Sequence, residues 1–257
     1  MLPVDARTDG AWTPSHYASQ KGDVTLVKSL LDAKASIEAV THEKETALII
    51  ATSNGRSAAV RTLLQAGANV KAILVMNSRR AIHIAARLGY CEILKDLINY
   101  NANVDSRCEP QVTALHIAAC AGHVRIVEIL LAENADCNAK AFAGNLCITP
   151  LIFASLHGYA KVVDKLLKGN APVEEPDGGL TGLHCALNGG HLSVVKLLLN
   201  ANANVDTPDP SGYTRLHYAS MAGHARILSE LLARGAGIDA RNSSGHAAIH
   251  YAAQKLY

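Results

Sequence analysis

The sequence predicts an all-α solenoid of stacked helix-turn-helix units, on three observations. A six-residue phrase close to Thr-Pro-Leu-His-x-Ala recurs eight times, starting at Thr13, Thr46, Arg80, Thr113, Thr149, Thr181, Thr214 and Ala247. Its steps are 33, 34, 33, 36, 32, 33 and 33 residues, a period that belongs to stacked supersecondary units. Nine residues after each of the first seven starts stands a glycine, and seventeen after it begins a Leu pair, with Leu97-Ile98 the one variant.

The elements of one unit follow in order. The threonine hydroxyl can accept from a free N–H at a helix start, and the proline after it in Thr13-Pro14 and Thr149-Pro150 suits the first helical position. Alanine closes the phrase in all eight copies, from Ala18 to Ala252, which marks a site where two helices approach too closely for a larger side chain. The glycine (Gly22, Gly55, Gly89, Gly122, Gly158, Gly190, Gly223) suits a chain leaving a short helix through a left-handed residue. The Leu pair is the apolar stripe of a second helix. Four residues past its start stand Lys34, Gly67, Asn101, Asn134, Asn170, Asn202 and Gly235, and Gly and Asn best tolerate the left-handed turn that ends a helix.

This set of motifs resembles the ankyrin repeat over essentially the whole chain. It gives one repeat domain over residues 1–257, with units near 8–40, 41–73, 74–107, 108–140, 141–175, 176–208 and 209–241 and a truncated unit at 242–257. The resemblance implies L-shaped helix pairs with projecting hairpin-like loops, stacked into a curved array with a concave face formed by the loops and the first helices. It also implies partner contacts at the loop tips and at the ends of the first helices.

Composition agrees with this. Hydrophobic residues make up 49% and aromatics only 4%, as expected of layers of Leu, Ala, Val and Ile. A net charge of +2 predicts no bulk attraction to nucleic acid or to an anionic membrane. The six cysteines form no CxxC pair, the start of the chain has no apolar leader, and no run reaches the length of a membrane span. A soluble protein of a reducing compartment, cytoplasmic or nuclear, is the expectation.

Nine of the twelve histidines are periodic. His16, His83, His116, His184, His217 and His250 stand at the fourth phrase position, and His123, His191 and His224 follow the unit glycine. Spread one per repeat, they read as hydrogen-bonded bridges between loop and helix, not as converging metal ligands. Neither a phosphate-binding GxxxxGK[ST] loop, an HExxH helix nor a GxSxG elbow is present. The expectation is no enzyme, no catalytic residue, no metal and no cofactor.

Function is therefore sought on the surface. The residues before the phrase include Trp12, Arg79, Val112, Ile148, Leu180 and Tyr213, and those before the unit glycine include Arg87, Leu88, Leu156, His157 and Met221. With Met76 and Leu146 from the loops, these thirteen are the candidate partner-binding residues, and all but Arg79, Arg87 and His157 are apolar or aromatic where the fold does not require it. Val112, Ile148 and Leu180 are also placed to pack against neighbouring loops. Trp12 is placed either as an anchor or as a cover for the end of the core. Arg79, Arg80 and Arg87 form a basic edge that is either solvated or a clamp for acidic side chains or phosphate, and Arg80 replaces the capping Thr. Two units replace the phrase histidine, by Ile49 and Ile152, which puts their loop bonding in doubt, and the 36-residue step lengthens the loop at 141–148. The last unit has a first helix and no second one, so a longer native protein is expected. The function expected is a scaffold or adaptor, monomeric or part of a longer chain in its assembly, that binds a protein or an extended peptide on the loop and first-helix face. The alternative is a regulatory or targeting arm of a larger enzyme, channel or intracellular bacterial effector.

Overall fold

The computed structural model describes residues 3–74, 78–144, 146–174, 181–209 and 211–254. Met76 and Leu180 lie outside the described residues, as does the side chain of Leu146. Each phrase opens a short helix: α1 (Pro14–Lys21), α3 (Ala47–Ser53), α5 (Ala81–Leu88), α7 (Ala114–Ala121), α9 (Pro150–Leu156), α11 (Gly182–Asn188), α13 (Arg215–Ala222) and α15 (Ala248–Gln254). Each Leu pair lies in a second helix: α2 (Val24–Asp32), α4 (Ser57–Gln65), α6 (Cys91–Asn99), α8 (Val124–Ala132), α10 (Ala160–Lys168), α12 (Leu192–Asn200) and α14 (Ala225–Ala233).

The helices pack in two units, Met1–Asp136 and Cys137–Tyr257. In the first, α1, α3, α5 and α7 form one layer and α2, α4, α6 and α8 the other. In the second, α9, α11, α13 and α15 form one layer and α10, α12 and α14 the other. The phrase alanines Ala18, Ala51, Ala85, Ala118, Ala154, Ala186 and Ala219 are buried, which is what lets neighbouring first helices pack so closely. The first leucine of the pair is buried in six units, and Leu30 is half-buried.

The turns take the conformations that the residue types call for. All seven unit glycines are left-handed, with φ between 68° and 79°. They have a second reason to lack a Cβ. One added to Gly158 would lie 2.5 Å from His191 Nδ1, and one on Gly190 would lie 2.6 Å from His224 Cε1. The turn after the second helix is left-handed at Lys34, Gly67, Asn101, Asn134, Asn170, Asn202 and Gly235.

The periodic histidines tie loops to helices within a repeat and between neighbouring repeats. The Thr13 N–H donates to His16 Nδ1 (2.9 Å), and His16 Nε2 donates to the Ala39 carbonyl (2.9 Å). His83 repeats this with Arg80 N–H (3.0 Å) and Ser106 O (2.8 Å), and His217 with Thr214 N–H (3.0 Å) and His246 O (3.0 Å). The second set donates through Nε2 to the end of the preceding first helix: His123 to Arg87 O (3.0 Å), His191 to Leu156 O (3.1 Å) and His224 to Asn188 O (3.3 Å). Arg56 Nε does the same to Gln20 O (3.0 Å). Where isoleucine replaces the phrase histidine, the threonine hydroxyl still caps the helix, accepting from Ile49 N–H and from Ile152 N–H at 3.4 Å, as Thr181 does from His184 N–H.

The lengthened loop at 141–148 is a β-hairpin, β1 (Ala141–Ala143) paired antiparallel with β2 (Leu146–Ile148). The extra residues extend a feature that other repeats reduce to one antiparallel bridge, such as Val40 with Thr46 or Cys108 with Val112. Gly144, at φ 60°, supplies the left-handed residue of its turn.

Candidate partner-docking surfaces

Two positions of the repeat were expected to project, and the structure treats them differently. The residue before the phrase sits inside the hairpin. Trp12 is half-buried, its ring 5.0 Å from Tyr17 and edge-on to His16 at 5.9 Å. Val112 is half-buried and exchanges two backbone hydrogen bonds of 2.9 Å with Cys108. Ile148 is half-buried opposite Ala141. Arg79 is half-buried too: its carbonyl accepts from Leu74 N–H (2.7 Å) and its guanidinium bonds the Cys108 thiol, opposing the rise that burial imposes on that thiol. These four are therefore not the free loop tips that spacing suggested.

The end of the first helix does project. Its last carbonyls are engaged by the next repeat, and the left-handed glycine then turns the chain away, so the preceding side chain faces outward. Arg87 and Leu88 are exposed at the end of α5 in the first unit. In the second unit Leu156 is 47% exposed and Met221 36% exposed, large apolar side chains with no cover among the described residues. His157 is exposed beside Leu156, donates from Nδ1 to Phe153 O (2.9 Å), and stacks on Tyr159 at 5.7 Å with planes 8° apart.

A tyrosine cluster, of which only Tyr213 was anticipated, lies in the second unit. The half-buried Tyr213 ring stands 6.0 Å from Tyr218 and 5.8 Å from Tyr251, and Tyr251 Oη donates to Tyr213 Oη at 3.1 Å. Asp209 anchors the group, accepting from Tyr218 Oη (2.6 Å) and from the N–H of Ser211 (2.8 Å) and Tyr213 (2.9 Å). Burial favours protonated Asp209, but these donors win and hold it below its ordinary value, while burial and Asp209 push Tyr218 up to about 12. Tyr218 and Tyr251 occupy the fifth phrase position, where Ile50 and Ile84 are buried. That contrast of aromatic with aliphatic at one repeat position was the available signal.

Arg215 stands at the second phrase position, which holds Ala or Pro in six of the other units. It is 1% exposed, donating to Thr207 O (2.7 Å) and to His184 Nε2 (2.7 Å). The Thr181 N–H donates to His184 Nδ1 (3.1 Å), so both ring nitrogens of His184 face donors, which favours the neutral ring. Burial first, and Arg215 second, bring His184 down to about 4.

A family model described as ankyrin repeats (3 copies) matches residues 2–73, 71–141, 140–209 and 183–257. The chain belongs to the ankyrin-repeat family. Ankyrin repeats are protein-interaction modules, and only repeats are found along this chain. The ankyrin repeat domain of human ASB11 superposes with a TM-score of 0.73 at 26% identity, covering 87% of this chain and 98% of that one. The ankyrin repeat and KH domain-containing protein mask-1 of Caenorhabditis elegans is 33% identical over 134 residues, 52% of this chain and 5% of that protein. The probable E3 ubiquitin-protein ligase XBOS32 of rice (Oryza sativa subsp. japonica) is 29% identical over 197 residues, 76% of this chain and 32% of that protein. A transient receptor potential channel A1 homologue of Caenorhabditis elegans is 27% identical over 200 residues, 78% of this chain and 14% of that protein. The chain thus spans a third or less of these curated relatives. Among the described residues no helix is long and apolar enough to cross a membrane, and no three His, Cys, Asp or Glu side chains converge as a metal site.

Proposed function

We propose that this chain is a non-catalytic scaffold or adaptor that docks a protein or an extended peptide on the ends of its first helices, with the second unit carrying the main site. The observation behind this is the exposure of Leu156 and Met221 at positions whose side chains the fold does not use. Methionine adapts to varied apolar surfaces, and the nearby tyrosines combine a large apolar face with a polar tip, the mixture that dominates interface cores. A rigid stack loses little entropy on docking, so more of the contact energy remains as affinity. The working compartment is a reducing one, cytoplasm or nucleus. The test is affinity capture with this chain beside a Leu156→Glu, Met221→Glu variant shown by circular dichroism to be folded. A protein captured by the first and lost by the second supports the site; equal capture by both removes it.

A second reading is favoured by the lengths of the relatives. An ankyrin stretch that spans 5% to 32% of those proteins is there one segment of a larger machine. In this reading the same helix ends contact a neighbouring domain of the same polypeptide, and the isolated chain captures that domain when it is supplied separately.

A further inference from the structure

The first unit holds a ladder of carboxylates, each taking a backbone N–H one repeat further on. Asp5 accepts from Ser36 N–H (3.1 Å), Glu38 from Asn69 N–H (2.7 Å) and Asp105 from Asp136 N–H (2.9 Å). The second unit continues the pattern, with Glu174 accepting from Asn204 N–H (2.8 Å) and Asp206 from Gly237 N–H (2.9 Å). Between Glu38 and Asp105 the repeat position is Lys71, and the N–H due at that rung belongs to Asn103. A lysine has no acceptor, and among the described residues nothing accepts from Asn103 N–H. The Asn103 loop is formed like its neighbours: its side-chain oxygen accepts from Asp105 N–H at 2.9 Å, as Asn69 does from Lys71 N–H and Asn204 from Asp206 N–H. The N–H is therefore presented as on the other rungs, with a cation where the carboxylate belongs.

Two further departures from the repeat meet at this rung. Arg80 stands where six other units have a buried threonine, and its guanidinium, which cannot be buried whole, donates to Arg107 O at 3.1 Å. Ser106 stands where other units have Ala39, Ala72, Ala139 and Ala240. It is only 8% exposed, and its hydroxyl has no partner among the described residues. Lys71, Arg80, Asn103, Asp105, Ser106 and Arg107 line one cleft of about 560 Å³. The lining has three cations against one carboxylate, and Asp105 already holds the Asp136 N–H. The positive potential reaches His83 behind it, whose imidazole is brought down to about 4 by burial first and by Arg80 and Arg79 after it.

We propose that this cleft is an oxyanion site, which takes a carboxylate or phosphate group borne on an acidic segment of a protein partner. The anion fills the acceptor role that Glu38 and Asp105 play on the adjacent rungs, taking the Asn103 N–H, with Lys71, Arg80 and Arg107 balancing its charge. The nature of the carrier rests on the reading of the chain as a protein-interaction module; the anion site does not.

The test titrates the full chain with inorganic phosphate and, separately, with glutarate, at ionic strength held constant with sodium chloride, following the backbone amide resonances of Asn103 and Ser106. Saturable shifts at both residues are expected with at least one anion, and the tighter anion identifies the source. Lys71→Glu supplies the missing carboxylate from the chain itself, so it should raise the melting temperature and weaken anion binding about tenfold or more. Lys28→Glu makes the same charge change on the exposed face of α2 and should leave the binding intact. The proposal is overturned if neither anion gives a saturable shift, or if the two lysine variants weaken binding equally, since the effect would then be diffuse electrostatics. Saturable binding in a chain whose Leu156→Glu, Met221→Glu variant still captures every partner would sink the docking site and leave the oxyanion site standing.

Discussion

His83 donates to Ser106 O and accepts from Arg80 N–H, so both ring nitrogens are committed to the neutral form while the ring is fully buried. Its value falls from the ordinary 6.5 to about 4. Between those two pH values the unfolded chain binds a proton that the folded chain refuses. Stability is therefore full above pH 6.5 and declines as the pH falls toward 4, by about 1.4 kcal/mol per pH unit from this residue. Urea midpoints between pH 7 and pH 4.5 should show that slope added to the one His184 contributes, and His83→Gln should reduce the total by about 1.4 kcal/mol per pH unit; an unchanged slope in the variant would assign the effect elsewhere. His184 gives a sharper test of local geometry. Arg215→Ala removes the second cause of its depression, so the imidazole should titrate above 4 and below 6.5, readable by nitrogen-15 NMR of the ring. A titration that does not move would mean that burial alone sets the value. The bridging role of the histidines was legible in their periodicity. The burial of Arg215 was not, because a sequence records that an arginine occupies an alanine position but not which carbonyl its stem can reach.

At the scale of elements, helix ends were the most legible feature, because a left-handed turn restricts residue type at a fixed offset. Gly67 and Gly158 separate two causes of that restriction. Both are left-handed, but a Cβ on Gly67 would meet nothing within 4 Å, whereas one on Gly158 would strike the His191 ring at 2.5 Å. Gly67→Asn should change stability by less than about 0.5 kcal/mol, since Asn101 and Asn134 already hold the same turn elsewhere. Gly158→Asn should cost about 2 kcal/mol or more through overpacking. Equal costs in chemical denaturation would mean that backbone strain alone selects glycine. The hairpin of β1 and β2 was read only as a longer loop, since three-residue strands are too short to show alternation. For Val112, Ile148 and Trp12 the sequence left two placements open, projecting or packed, and their half-burial favours packing, which spacing alone does not decide.

At the scale of the molecule, the repeat period alone gives the solenoid and its family, and it places the exposed ends of the first helices. What it does not give is any relation between residues a full repeat apart that differ from their counterparts. The carboxylate ladder and its interruption at Lys71 become visible only when Asp5, Glu38 and Asp105 are seen each to hold an N–H of the following loop. The tyrosine cluster likewise joins residues from two repeats. Function in such a chain resides in its departures from the repeat, because the shared framework is spent on stacking. The central claim is that the exposed helix ends of the second unit dock a partner. The most direct measurement is the Kd of the captured partner, or of the supplied neighbouring domain, for the chain and for the Leu156→Glu, Met221→Glu variant by isothermal titration calorimetry. Placing two carboxylates in an apolar contact should weaken binding at least about a hundredfold. A Kd unchanged within about twofold would contradict the account and move the docking surface away from these helix ends.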